Sequence, residues 1–129
     1  MKKQRLAVLG STGSIGASTL DVAARHPDRI EVVALTAATQ VDKLLAQCER
    51  FRPRVAAMAS APHAAQLAEK IRQKGLETRV DTAPAAIENI ASSAEVDTVM
   101  AAIVGAAGLP PTLAAARAGK PLYLANKET

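Results

Sequence analysis

Short apolar segments alternate along this chain with longer segments whose apolar residues recur at helical spacing. Strands are predicted at 5–9, 30–36, 54–58, 77–82, 98–104 and 121–124. Helices are predicted between them, at 15–25, 41–52, 61–74, from a cap at Thr82 to about Ser92, and at 110–118. Strands that alternate with helices of this length form parallel βαβ units, so the sequence predicts a three-layer α/β fold with a mostly parallel sheet.

The continuity of the apolar runs predicts the order of the strands. Segment 98–104 is the most continuous, and a strand buried on both faces has this pattern, so we place it centrally beside 5–9. Segment 77–82 is short and charged, as expected at an edge. With strands numbered along the chain, the predicted order is 4-3-2-1-5-6, the usual order of a doubly wound dinucleotide-binding sheet with one extra edge strand.

The length and composition indicate one globular domain. The chain has 129 residues, which by length is a single domain spanning 1–129, and 49% of them are hydrophobic, which excludes a disordered chain. No apolar run approaches the roughly 20 residues of a membrane span. The apolar run after the basic start breaks at Gly10, too early for a signal peptide, so we expect a cytoplasmic protein, most simply a bacterial one.

Rare residue types exclude several kinds of site. The single cysteine, Cys48, excludes an internal disulfide and a cysteine-based zinc site, and its helical position favours a packing role. The histidines, His26 and His63, lie beside prolines near helix ends and are expected at the surface. Phe51 and Tyr123 are the only aromatic residues, too few for a base-stacking platform, so a nucleic-acid partner is not expected. We predict no catalytic residue and no metal site.

A glycine-rich segment, GSTGSIG at 10–16, lies between the first predicted strand and the first helix. A strand, such a loop, a helix and a second strand together predict a Rossmann-like dinucleotide site. Gly10 would allow the tight exit from the strand, Gly13 the approach of the pyrophosphate, and Gly16 the close packing of helix and strand. The helix N-terminus would supply unpaired amide groups, and the hydroxyls of Ser11, Thr12 and Ser14 would add donors. The alternative is a tight loop without a ligand.

The end of the second predicted strand indicates which dinucleotide is preferred. A site that prefers NAD places a carboxylate there, on the ribose 2′-hydroxyl, whereas this strand continues into LTAATQ at 35–40 without an acid. The start of the next helix and Gln40 could donate to a 2′-phosphate, with Lys43 one turn further along. We therefore predict that NADP is favoured. Thr39 stands three residues before Asp42, close to a capping box, and is expected to cap this helix in either case.

Two further segments follow strands that should end at the same edge of the sheet. Segment 105–108, GAAG, follows the fifth strand at the predicted switch point and leaves room for a cofactor, although an ordinary loop would have the same composition. Asn126, Lys127 and Glu128 follow the sixth strand. They are candidates for ligand contacts, but on spacing alone a solvated tail is the simpler interpretation.

Four segments in this order resemble one enzyme family: LGSTGSIG at 9–16, STLDV at 18–22, AAIVGAAGL at 101–109 and LANKE at 124–128. The chain is similar along its whole length to 1-deoxy-D-xylulose 5-phosphate reductoisomerase, which uses NADPH and a divalent metal (Mg²⁺, Mn²⁺ or Co²⁺) to make 2-C-methyl-D-erythritol 4-phosphate for non-mevalonate isoprenoid synthesis. The resemblance implies a role in cofactor binding for Thr12, Gly13, Ser14, Ile15, Asn126 and Glu128. It assigns Lys127 to the substrate, a phosphorylated ketose.

The resemblance also implies what this chain does not contain. The family often has Gly-Lys-Asn where this chain has Ala38, Thr39 and Gln40, so the lysine expected near the 2′-phosphate is missing. The metal ligands, the substrate-phosphate loop and the dimer-forming domain come later in the family's sequence. We therefore interpret the chain as the N-terminal NADPH-binding domain of a longer, homodimeric enzyme. The alternatives are a stand-alone nucleotide-binding module and the cofactor domain of another NADP-dependent dehydrogenase, such as a semialdehyde dehydrogenase.

Overall fold

The structure, a computed structural model, describes residues 3–103 and 108–124. The strands are β1 (Gln4–Leu9), β2 (Ile30–Ala37), β3 (Val55–Met58), β4 (Arg79–Asp81), β5 (Thr98–Ala101) and β6 (Leu122–Leu124). The helices are α1 (Ser14–Arg25), α2 (Val41–Phe51), α3 (Ala61–Gln73), α4 (Ala86–Ala91) and α5 (Leu109–Arg117). None of these helices is both long enough and apolar enough to pass through a lipid bilayer.

The strands form one six-stranded sheet in the order β4-β3-β2-β1-β5-β6, which confirms the predicted order. Every pair of neighbouring strands in this sheet is parallel. β1 therefore lies between β2 and β5, where the direction of the chain across the sheet reverses. The carboxyl ends of these three strands share one edge, the place where open α/β sheets bind ligands.

The described helices pack on both faces of the sheet, three on one face and two on the other. α1, α2 and α3 pack on one face through residues such as Leu20, Leu44 and Leu67, while α4 and α5 pack on the other through Ile90 and Ala115. Crossovers between parallel strands are right-handed, so the helices change face when the chain turns back from β4 to β5. The result is the predicted doubly wound, three-layer fold.

The ends of several elements differ from the prediction. Thr82 does not cap α4: the carboxylate of Asp81 instead accepts a hydrogen bond from the Ala83 amide at 3.0 Å, and the helix begins later, at Ala86. This prediction was wrong because α4 starts three residues later than expected, with Ala85 rather than Thr82 at its N-cap position. Strand β5 ends at Ala101, before the predicted end of the strand at 104.

Candidate cofactor-binding site

The loop after β1 turns sharply at the switch point of the sheet. Gly10 has a φ of +79°, a conformation that only glycine adopts without strain. Its amide and that of Ser11 both donate to the carbonyl oxygen of Thr36, at 3.1 and 2.8 Å. A Cβ on Gly10 would lie 3.0 Å from the carbonyl oxygen of Ala102, just beyond β5. The loop is thus held between the ends of β2 and β5, as a tight strand exit requires.

The other two glycines of the loop differ in the space around them. A Cβ on Gly16 would lie 2.3 Å from the Gly10 carbonyl oxygen, so the first turn of α1 packs against this loop only because position 16 has no side chain. Gly13 is exposed, and the nearest atom to a Cβ there would be the Gly10 carbonyl oxygen at 3.8 Å. As far as residues 3–103 and 108–124 are concerned, the space over Gly13 is therefore open to a ligand.

The N-terminus of α1 is suited to an anion. Gly13 occupies the N-cap position, no side chain caps the helix, and its first turn contains no acidic residue. The first amide groups of an α-helix have no partner within the helix and carry the positive end of its dipole. Those of Ser14 and Ile15 lie at this end, beside the open space over Gly13. A pyrophosphate at this position would meet free donors without meeting a carboxylate from the helix.

Ser11 does not have the role expected for it. Its side chain is completely buried, with the hydroxyl 2.7 Å from Oε1 of Gln47 and 3.2 Å from the Thr36 carbonyl oxygen. Gln47 also donates from Nε2 to the Ser11 carbonyl oxygen at 2.8 Å. Ser11 therefore anchors the loop to α2 and offers no hydroxyl to a phosphate.

Gln47 is a positioning residue that the sequence analysis missed. It is partly buried and lies three residues after Leu44, on the side of α2 that packs against the sheet. A glutamine next to an apolar helical stripe is the only sequence signal for this contact. Its partner, Ser11, is 36 positions away in the chain and cannot be inferred from local spacing.

The end of β2 lacks a carboxylate in the structure as in the sequence. Ala38, Thr39 and Gln40 are exposed. The prediction that Thr39 caps α2 was wrong: Gln40 is at the N-cap position and no side-chain hydrogen bond caps the helix. The first acidic residue of α2, Asp42, pairs with Lys70 at 3.7 Å and has a side chain that is 90% exposed. The exposed polar groups before α2 therefore remain available to a ribose phosphate.

A serine–histidine pair lies next to this segment and was also missed. The amides of Ala59 and Ser60 donate to the carbonyls of Ala37 and Ala38, at 3.0 and 3.4 Å, so the start of α3 is adjacent to the end of β2. The Ser60 hydroxyl lies 2.6 Å from Nδ1 of His63, which is only partly exposed. Pairing of β2 with β3 creates this neighbourhood, which no local pattern around His63 indicates.

The remaining candidate residues lie outside the described part of the chain. These are Asn126, Lys127 and Glu128 after β6, together with 105–107 of the loop after β5. Gly108 is described: it stands at the N-cap position of α5, and a Cβ there would lie 2.6 Å from the Ile103 carbonyl oxygen. Within 3–103 and 108–124, no group of three or more His, Cys, Asp or Glu side chains could hold a metal ion.

Cys48 has the packing role predicted for it. Its side chain is completely buried in the core on the α1 face. Burial, and to a smaller extent the charge of Glu49, raises the pKa of the Cys48 thiol to about 12. A thiol that stays protonated and inaccessible is a poor nucleophile.

Comparison with known proteins identifies relatives along nearly the whole chain. Residues 6–129 match the profile of the family described as 1-deoxy-D-xylulose 5-phosphate reductoisomerase. The proteins of that name from Nitrosomonas europaea and Dechloromonas aromatica are 58% and 60% identical to it, over 99% and 98% of this chain. The chain spans only 31% and 32% of the length of these two relatives.

Solved structures that superpose on this chain carry the same reductoisomerase name. A DOX-P reductoisomerase crystallised with NADPH, fosmidomycin and magnesium superposes with a TM-score of 0.91 at 50% identity, over 95% of this chain and 30% of that one. The reductoisomerase of Zymomonas mobilis in complex with NADPH superposes with a TM-score of 0.89 at 39% identity, over 97% of this chain and 32% of that one. These matches favour the reductoisomerase interpretation over that of a semialdehyde dehydrogenase domain.

Proposed function

Because this chain belongs to the 1-deoxy-D-xylulose 5-phosphate reductoisomerase family, we propose that residues 1–129 are the NADPH-binding domain of such an enzyme. The observation that carries the proposal is the N-terminus of α1, which has no side-chain cap and no acid in its first turn and follows a glycine loop at the switch point. A dinucleotide with a pyrophosphate matches this arrangement of free amide groups.

In this proposal the pyrophosphate lies over Gly13, bound by the amides of Ser14 and Ile15 and by the hydroxyls of Thr12 and Ser14. Gly10 and Gly16 contribute by keeping the loop close to the strand, since a Cβ on either would contact backbone atoms. When bound, NADPH supplies the hydride for the reduction. The chain's own residues orient the cofactor along the carboxyl edge of the sheet.

Gln40 and its neighbours before α2 are proposed to contact the adenosine ribose. No carboxylate there would hydrogen-bond a 2′-hydroxyl or repel a 2′-phosphate. The cofactor is therefore NADPH rather than NADH. Without a lysine at position 39 the 2′-phosphate lacks one charge-assisted contact, so the preference is expected to be modest.

The chemical step belongs to the full-length enzyme. There the domain would act with a divalent metal (Mg²⁺, Mn²⁺ or Co²⁺) bound outside it, converting 1-deoxy-D-xylulose 5-phosphate to 2-C-methyl-D-erythritol 4-phosphate in the cytoplasm of a bacterium, as a homodimer. Asn126 and Glu128 would complete the cofactor contacts, and Lys127 would contact the phosphorylated substrate. No nucleic acid or membrane takes part.

Titration with both dinucleotides tests the proposal. NADPH and NADH are added to the 129-residue chain, and binding is followed through the fluorescence of the reduced nicotinamide. We expect NADPH to bind about 5 to 30 times more tightly, which corresponds to about 1–2 kcal/mol. Equal or tighter binding of NADH by a chain with a native circular dichroism spectrum would contradict the proposed cofactor.

A further inference from the structure

Among residues 3–103 and 108–124, no helix covers the α1 face of the sheet over β5 and β6. From β1 to β4 the chain adds strands toward one edge of the sheet, and from β5 to β6 it adds them toward the other edge. Because all crossovers are right-handed, this reversal places α4 and α5 on the opposite face from α1. Among the described residues, α1 is therefore the last helix on this face in the direction of β6. A groove of about 360 Å³ remains beside it, lined by Gln4, Leu6, Thr19, Val22, Ile30, Thr98, Met100 and Tyr123.

The groove presents an apolar surface. None of its eight lining residues is charged, although charged residues make up 22% of the chain. Met100 and Tyr123 are register partners on β5 and β6, and the Tyr123 side chain is 59% exposed. Across the groove, Val22 of α1 is 50% exposed. Adjacent large apolar side chains left in water form the kind of patch that a partner covers.

The two threonine hydroxyls of the groove are already bonded within the domain. The Thr98 hydroxyl donates to Oε1 of Gln4 at 2.8 Å, and the Thr19 hydroxyl donates to the carbonyl oxygen of Ile15 at 2.9 Å. Both threonines can therefore present methyl groups without leaving a hydroxyl unsatisfied. A surface without charged groups favours a permanent, well-packed contact over a transient, electrostatically guided one.

We propose that this groove is the docking surface for the rest of the reductoisomerase polypeptide in the full-length protein. The chain matches about 31% of the length of its relatives, so about two thirds of each relative's chain lies outside this domain. Covalent connection gives a segment of the same polypeptide a local concentration on the order of millimolar, which favours it over a second copy. The proposal rests on family membership and not on the assignment of NADPH.

Photo-crosslinking in the full-length protein tests this surface. Tyr123 is replaced by p-benzoylphenylalanine, a side chain of similar shape that forms covalent bonds with adjacent groups on irradiation. The control carries the same side chain at Ala46, an exposed position on α2 away from the groove. We expect crosslinks from position 123 to a segment of the same polypeptide outside the 129 residues, with at least ten times the yield obtained from position 46.

Two results would overturn the proposal: crosslinks that join two polypeptides, which would identify a second copy as the occupant, or a yield from position 123 below that threshold. Should the Tyr123 variant fail to fold, p-benzoylphenylalanine at Val22, on the other wall of the groove, is judged by the same criteria. NADPH binding is measured on the same protein, so that failure of the docking surface and failure of the cofactor assignment are distinguished.

Discussion

Substitution of Gly13 by valine separates ligand binding from folding in the glycine loop. Gly13 has φ −76° and ψ 170°, an extended conformation open to any residue, and its Cβ position is 3.8 Å from the nearest neighbouring atom. Valine is a poor N-cap residue, which would destabilise by about 1 kcal/mol, and the reduced entropy of the unfolded chain offsets about 0.4–1 kcal/mol of that. We therefore expect Gly13→Val to fold with nearly the wild-type stability.

Cofactor binding by the same variant should be lost. The isopropyl group would fill the space over Gly13 and keep the pyrophosphate from the amides of Ser14 and Ile15. Each hydrogen bond to a charged group contributes about 1.5–3 kcal/mol, so losing two removes about 3–6 kcal/mol. Since each 1.4 kcal/mol is about tenfold, the Kd for NADPH should rise at least about 100-fold.

The measurement is NADPH titration by nicotinamide fluorescence, together with thermal unfolding followed by circular dichroism. Ala24→Val, at an exposed position near the end of α1, is the matched control and should change neither. Gly16→Ala is the contrasting variant: its Cβ would lie 2.3 Å from the Gly10 carbonyl oxygen, so the melting temperature should fall by the equivalent of about 1–3 kcal/mol. Normal NADPH affinity in folded Gly13→Val would show that the pyrophosphate lies elsewhere, and an unfolded variant would refute the conformational argument.

Three further experiments examine other parts of the site. Thr39→Lys should raise the preference for NADPH over NADH by about tenfold, because it adds a charge-assisted contact to the 2′-phosphate, while Thr39→Gln should not. An unchanged ratio of the NADH and NADPH Kd values in Thr39→Lys would contradict the placement of the ribose. The Cys48 thiol should not react with a disulfide reagent at pH 8 until the chain unfolds, and rapid labelling of the native chain would count against this. Raising the pH above the ordinary thiol range should lower the free energy of unfolding, because the unfolded thiol ionises at a lower pH than the folded one. In the full-length enzyme Lys127→Ala should lower kcat/KM for 1-deoxy-D-xylulose 5-phosphate by at least about tenfold with little change in NADPH affinity. The 129-residue chain alone should not oxidise NADPH with this substrate and Mg²⁺. Metal-dependent turnover by the short chain would show that the active site is misplaced.

The order of the sheet was predictable because burial leaves a direct trace in the sequence. Strand β5, which lies inside the sheet, is apolar at three of its four positions, whereas the edge strand β4 has one apolar residue among three. The two glycines that the backbone requires, Gly10 and Gly16, were likewise identified correctly. Their requirement comes from the local path of the chain from strand to helix, which the spacing of the glycines reports.

The contacts of individual hydroxyl groups were not predictable in the same way. Ser11 was expected to face a phosphate, and Thr39 and Thr82 were expected to cap helices, yet the structure gives none of them that role. A hydroxyl can bond to whichever partner the fold brings within about 3 Å, and several partners have similar energies. For Ser11 the partner is Gln47, 36 positions away, so the choice between them depends on how α2 packs.

The sequence by itself determined the α/β fold, the strand order and the position of the glycine loop, because these follow from apolar periodicity and from backbone conformation. Only the tertiary structure decided that Ser60 and His63 lie beside the end of β2, and that no helix in the described part of the chain covers the α1 face at β5 and β6. Both depend on which strands become neighbours and on the handedness of the crossovers between them. These relationships join residues far apart in the chain, which no local pattern records.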